Sequence, residues 1–243
     1  MKSLILFLLI SSAHLFSQKI ITPANVSLDH TMIKDETSEA IWYAENAGSK
    51  VEIGSIITRI KKLNPTDLLI KTSVSMKQMP NAAWTDSTIV KANNFLPDYH
   101  SSYNSMRDMV MKSGKNKVTG YYLDKKSRKK DIIDIPAADY FDSSSYPVLI
   151  RFLPLKEKYT AEISIVDYNP KSVKNGMMKA YILGVEKTDY KGQKVWAVKT
   201  TDDISDKTTT TTYFIDIDTR KVLKQEIDMA GRKMSLELIK QPS

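Results

Sequence analysis

Residues 68–77 alternate so regularly that one backbone geometry accounts for them. Leu68, Ile70, Thr72, Val74 and Met76 form one row, and Leu69, Lys71, Ser73, Ser75 and Lys77 form the other. Side chains two apart share a face in an extended chain, so this stretch predicts a strand with one face buried and the other mostly polar. Tyr159, Ala161, Ile163 and Ile165 alternate with Thr160, Glu162 and Ser164 in the same way. Further strand candidates are Val51–Leu63, Thr85–Val90, Met106–Met111, Lys117–Leu123, Lys129–Ile135, Met177–Lys187, Lys194–Thr201, Thr208–Ile217, Val222–Asp228 and Lys233–Ile239. Turn signals separate them at Asn64-Pro65, Ser113-Gly114, Asn175-Gly176, Lys191-Gly192, Asp218-Thr219 and Ala230-Gly231. Short strands joined by tight turns predict an antiparallel meander, either an incomplete barrel or a strongly curved open sheet.

One stretch departs from period two. Ser143, Ser144 and Ser145 are candidate N-caps, Pro147 is tolerated in a first helical turn, and Tyr146, Val148, Leu149, Ile150, Phe152 and Leu153 follow before Pro154. A short helix this apolar must be covered on most sides, which the concave face of a curved sheet can do. The expected fold is therefore mainly β, a strongly curved antiparallel sheet enclosing a short apolar helix. Residues 41–243 read as a single domain, and residues 18–40, with the weakest periodicity, as an arm over its surface.

The chain opens with Met1 and Lys2, an unbroken apolar run from Leu4 to Ile10, then Ser11, Ser12 and Ala13, with Ser17 a small residue at the cleavage point. That is the pattern of a secretory signal peptide spanning residues 1–17, and its apolar run is too short for a bilayer span of about 20 residues. The expectation is an exported protein, periplasmic or secreted, without a transmembrane segment. The sequence has no cysteine. This excludes a disulfide framework, a thiolate nucleophile, Cys-ligated metal and lipoprotein acylation at the cleavage point.

With 36 Lys+Arg against 28 Asp+Glu the chain is basic, and the densest cations are Lys125, Lys126, Arg128, Lys129 and Lys130. They lie between two strand candidates and beside Asp124, Asp131 and Asp134, so they read as a solvated hairpin tip, with an anionic-partner patch as the functional alternative. No aromatic residues interleave with them as a single-strand nucleic-acid groove would require, so no nucleic-acid partner is expected.

An inventory of reactive groups gives no enzyme. After the leader only His30 and His100 remain, neither with a second histidine at metal-ligand spacing, and no nucleophile elbow, phosphate loop or dinucleotide turn is present. His100 with Asp98, Ser101 and Ser102 can be drawn as a hydrolase constellation, but it reads more simply as a polar turn after Leu96-Pro97. Asp216 with Asp218, and Asp202 with Asp203, suggest carboxylate pairs. Asp218 to Lys221 reads instead as a turn in which the Asp218 side chain binds backbone amides. No cofactor or metal is implied.

The string FDSSSYPVLIRFLPL (Phe141–Leu155), the strand pair turning at Lys191-Gly192, and YFIDIDTRKVLKQEIDMAGRKMSLEL (Tyr213–Leu238) carry a resemblance. They resemble an uncharacterised family of exported bacterial β proteins similar in fold to the LolA and LolB lipoprotein carriers, in which an incomplete barrel wraps a helix around an apolar cavity. The resemblance implies a non-catalytic cell-envelope protein with an apolar pocket for a lipid, a lipoprotein acyl chain or a similar hydrophobic ligand. Candidate pocket residues are Trp84, Tyr146, Leu149, Phe152, Met177 and Trp196, for each of which core packing is the competing reading. The alternative is a structural protein with a filled core that binds an envelope protein or a polyanion through its surface.

Overall fold

The computed structural model describes residues 20–239 except Ala47, so the leader expected at residues 1–17 lies outside the described residues. The strands are β1 (Ile20–Ile21), β2 (Glu36–Asn46), β3 (Ser49–Lys62), β4 (Asp67–Met76), β5 (Trp84–Lys91), β6 (Pro97–Asn104), β7 (Arg107–Ser113) and β8 (Lys117–Asp124). They continue as β9 (Lys130–Pro136), β10 (Phe141–Asp142), β11 (Ala161–Asp167), β12 (Gly176–Tyr190), β13 (Gln193–Asp202), β14 (Thr209–Asp216), β15 (Val222–Met229) and β16 (Arg232–Leu238). One α-helix, α1 (Tyr146–Leu149), runs directly into a 3-10 turn, Ile150–Phe152.

All of these strands belong to one curved sheet built from two antiparallel meanders, β2 to β9 and β11 to β16. The meanders are joined where β16 pairs with β2, from Met234↔Ala44 to Leu238↔Ala40. The sheet does not close. Its two ends, β9 and β11, are connected in sequence by β10 and α1, and the outer edge of β11 is covered by the two-residue strands β1 and β10, both parallel to it. Short edge pieces of this kind leave little unpaired ladder exposed. Two glycines allow the tight curl. A Cβ on Gly54 would sit 2.1 Å from the Ser75 carbonyl oxygen, and one on Gly120 would sit 1.9 Å from that of Val110. No side chain fits at either position.

The connection between the sheet ends lays α1 against the concave face. Leu149, Ile150, Phe152 and Leu153 are fully buried against Ile60, Leu68, Ile70 and Val90 from one meander and Ile163, Ile165, Ile182 and Ile215 from the other. Phe95 meets Phe152 with ring centroids 6.0 Å apart. Each such side chain contributes roughly 1.5–3 kcal/mol by leaving water, so this cluster fixes the helix in place. A second cluster, Met109, Met111, Val118, Ile133, Tyr140 and Val166, packs across the gap between the sheet ends. The helix is further tied by Arg151, which is 4% exposed. Its guanidinium donates to both Glu36 carboxylate oxygens, at 2.5 and 2.9 Å, and to the Arg220 carbonyl at 2.6 Å.

The fold is the one the alternation predicts, with three local corrections. The described part of the expected arm, residues 20–40, does not simply lie over the surface: Ile21 and Ile33 are core residues and β2 begins at Glu36. Ile21 lies in a two-residue strand and Ile33 directly after a 3-10 turn, elements too short to leave a periodic trace. The serines do not cap α1 with a side chain, and Asp142 instead accepts the Ser144 amide at 2.9 Å. The stretch after Leu96 is a strand, β6, rather than a turn, because Pro97 takes its first position, where a missing N–H is tolerated.

Candidate ligand-binding site

Strands β5 to β8 place a row of side chains on the concave face. The register Asp86↔Ser102, Ser102↔Met109 and Met109↔Tyr122 sets one line across the sheet, and Thr88↔His100 and His100↔Met111 set the next. The segment after β10 crosses in front of this wall and brings Asp142, Ser143 and Ser144 to it, while Asp167, Tyr168 and Asn169 follow from the end of β11. Between them lies a cavity of about 290 Å³, into which Arg107 also projects.

His100 is the centre of this cavity's hydrogen bonding. Its Nδ1 lies 3.2 Å from Asp142 Oδ1, 3.1 Å from Ser144 Oγ and 3.1 Å from Thr88 Oγ1. The Ser144 hydroxyl donates to Asp142 Oδ1 at 2.5 Å. A carboxylate only accepts, so the proton of the imidazole sits on Nδ1. Burial by itself would push the His100 pKa down, but the Asp142 charge and hydrogen bond, reinforced by Asp86 and Asp167, hold it above its ordinary value. Burial opposes ionisation of Asp142 too, and there the His100 charge and the Ser144 hydrogen bonds win, keeping the carboxyl below its usual range. Asp167 behaves differently. Burial raises its pKa against a 2.6 Å hydrogen bond from the Ser143 hydroxyl, and the neighbouring Asp142 adds to the rise.

Three polar atoms at this cavity are buried without a hydrogen-bond partner: Asp86 Oδ1, His100 Nε2 and Ser102 Oγ. His100 is 5% exposed and Ser102 is 1% exposed. An unmatched buried polar group costs about 1–3 kcal/mol, so three around one cavity are an arrangement that a ligand would relieve. The geometry does not complete a hydrolase triad. Ser144 and Asp142 both meet the ring at Nδ1, and no described hydroxyl is hydrogen-bonded to Nε2, the atom that would have to take a nucleophile's proton.

A second cavity of about 220 Å³ lies between α1 and the middle of the sheet. Ala40, Ile56, Pro147, Val148, Val222, Leu236 and Leu238 give it apolar walls, and Glu36, Arg151, Lys221 and Gln225 stand among them. The line Ser38↔Thr58↔Thr72 crosses this cavity and continues through Asp86 into the polar one. Ser144 borders both. The two are halves of one concave groove, apolar beside the helix and polar beside His100.

The candidates drawn from the sequence are placed elsewhere. Tyr146, Leu149 and Phe152 belong to the packed core, the Tyr146 hydroxyl donating to Asp202 at 3.2 Å. Trp196 packs partly buried against the same core, Met177 is 44% exposed, and Trp84 stands edge-on to Trp42 at 6.4 Å. None of the six lines either cavity. His100 pairs with Asp142 rather than Asp98, which is exposed at a bulge in β6. The turn after β14 is held by Asp216, not Asp218, through the Thr219 amide and hydroxyl, both at 2.7 Å. Asp202 and Asp203 are likewise engaged, by the Ser205 and Lys179 amides.

The basic cluster is the β8–β9 hairpin tip. Lys125 pairs with Asp108 at 2.7 Å and Lys129 with Asp131 at 2.9 Å, and Lys130 lies over the Tyr121 ring at 4.4 Å. Lys126 and Arg128 are exposed on the turn itself, which Asp124 closes by accepting the Ser127 amide.

Residues 30–237 match a protein family described as "Protein of unknown function (DUF3108)". The chain belongs to that family. The match takes in β2, the helix and the lining of both cavities apart from Leu238, so nearly all of the concave groove lies within the DUF3108 unit. A crystal structure of a β-barrel-like protein of the domain of unknown function DUF1849 from Brucella abortus is similar in fold. It has a TM-score of 0.51 and 9% identity over 85% of this chain and 96% of that one. At that identity the likeness concerns the curved sheet alone. No curated protein matches the chain. Among the described residues no helix is long and apolar enough to cross a membrane, and no group of three or more histidines and carboxylates is arranged to hold a metal ion.

Proposed function

We propose that this DUF3108 protein is an exported, non-catalytic binding protein of the cell envelope that holds one amphipathic ligand along the concave face of its sheet. The observation carrying this reading is the groove itself, in which an apolar cavity under α1 and a polar cavity with three unmatched polar atoms meet at Ser144. The combined volume falls within the roughly 300–1,000 Å³ of small-molecule sites, enough for a single short chain with its head group. The fully packed core around Leu149 and Phe152 argues against a cavity for a whole diacyl lipid. This reading retains the likeness to the LolA and LolB carriers at the level of a helix held inside an unclosed sheet, and the leader at residues 1–17 accounts for export.

The test is purification from the native cells, mild organic extraction and mass spectrometry. One class of single-chain amphiphile is expected to co-purify, and Ala40→Leu, which fills the apolar cavity, is expected to reduce it at least tenfold while leaving the circular dichroism spectrum unchanged. A chain that carries no such molecule and does not bind added short-chain amphiphiles has a filled, structural interior, and the proposal fails.

A further inference from the structure

The polar half of the groove restricts the head group of its ligand. Two carboxylates, Asp86 and Asp167, face the cavity together with two basic groups, Arg107 and His100. An anionic head such as phosphate would stand against both carboxylates, and an ammonium head against the guanidinium and the imidazole, so a net charge of either sign meets a like charge inside a partly closed space. The unmatched atoms ask for something else. Asp86 Oδ1 can only accept a hydrogen bond, Ser102 Oγ can donate or accept, and His100 Nε2 donates when the ring is charged and accepts when it is neutral. A hydroxyl group meets all three requirements, because it donates and accepts by rotation about a single bond. Two tyrosine rings complete the wall. Tyr122 and Tyr168 lie 6.4 Å apart between centroids with planes tilted by 54°, presenting aromatic surface beside the polar atoms. Apolar ring surface next to hydrogen-bonding groups suits a molecule that carries C–H faces and hydroxyls on the same ring.

We infer that the cavity bounded by Asp86, His100, Ser102, Tyr122 and Tyr168 is a site for an uncharged polyhydroxyl head group, a sugar ring being the chemistry it fits. This rests on the amphiphile reading above and specifies its polar end.

Four probes with a common octyl chain separate the two claims: octyl glucoside, octyl phosphate, octylammonium and octanoate, each titrated calorimetrically below its micelle concentration against the full mature chain. The glucoside is expected to bind at least tenfold more tightly than the three charged compounds. Asp86→Asn and Ser102→Ala are expected to lower glucoside affinity about tenfold each. Ser102→Ala leaves the weak binding of the charged probes within twofold, whereas Asp86→Asn, which removes one repelling carboxylate, strengthens the two anionic probes without bringing them to the affinity of the wild type for the glucoside. Tighter binding of any charged probe than of the glucoside overturns the head-group inference and leaves the amphiphile reading standing. Failure of all four to bind overturns both. Glucoside binding that neither variant alters places the sugar outside this cavity and overturns the inference as well.

Discussion

His100 and Asp142 are both about 95% buried, and each holds the other in its charged form. The consequence for stability follows from the direction of each shift. His100 has a folded-state pKa above 6.5, so its contribution is complete below 6.5 and is lost as pH rises through the folded value. Asp142 has a folded-state pKa below 3.8, so its contribution is complete above 3.8 and is lost as pH falls through the folded value. The pair therefore stabilises most in the mildly acidic range. Urea denaturation at about pH 5.5 and about pH 8.5 checks this: the wild type is expected to lose more stability between the two than His100→Gln does, and equal pH slopes would contradict it. Asp142→Ala removes one partner of the buried pair and is expected to cost about 3–5 kcal/mol at the lower pH. His100 was visible in the sequence as one of very few histidines, but its partner was not. The aspartate nearest in sequence, Asp98, is turned away by a bulge, and the true partner arrives on the connection between the two sheet ends.

At the level of elements, the strands missing from the sequence reading are informative. β2 and β6 show no apolar alternation, and they are the strands that present Glu36, Ser38 and Ala40 to one cavity and His100 and Ser102 to the other. A strand facing a ligand groove need not be apolar on its inner face, so the signal that reveals a core strand is weakest where the site lies. β12 and β14 face packed side chains and were legible, and β3, β4 and β16, which also reach the groove through Thr58, Thr72 and Leu236, were legible because enough of their other inward residues are apolar. The short helix was legible from its apolar run, and the device that anchors it was not: Arg151 looks like a surface cation in sequence, yet it is 4% exposed and clamps Glu36 at the start of β2. Arg151→Met is expected to destabilise the fold by about 3–5 kcal/mol in urea denaturation, and adding Glu36→Leu to recover most of that loss. A single variant costing under about 1 kcal/mol would show that the clamp is not structural.

At the scale of the whole molecule, two meanders joined through β16 and β2 make a sheet long enough to curl almost into a barrel, and the link between its ends places a helix where a closed barrel would have its lumen. The helix fills one part of that interior completely and leaves the groove from Val148 and Leu236 to Asp86 and His100 open. Curvature and helix were both readable from alternation, one apolar run and turn chemistry. The division of the interior was not, because it depends on which side chains the helix covers. The most direct measurement is a crystal structure of the protein grown with octyl glucoside. The account predicts one ordered molecule along the groove, its chain against Val148 and Leu236 and its ring hydroxyls within hydrogen-bonding distance of Asp86 and His100. Unchanged side chains around an empty groove, with the glucoside only on the outer surface, would contradict it.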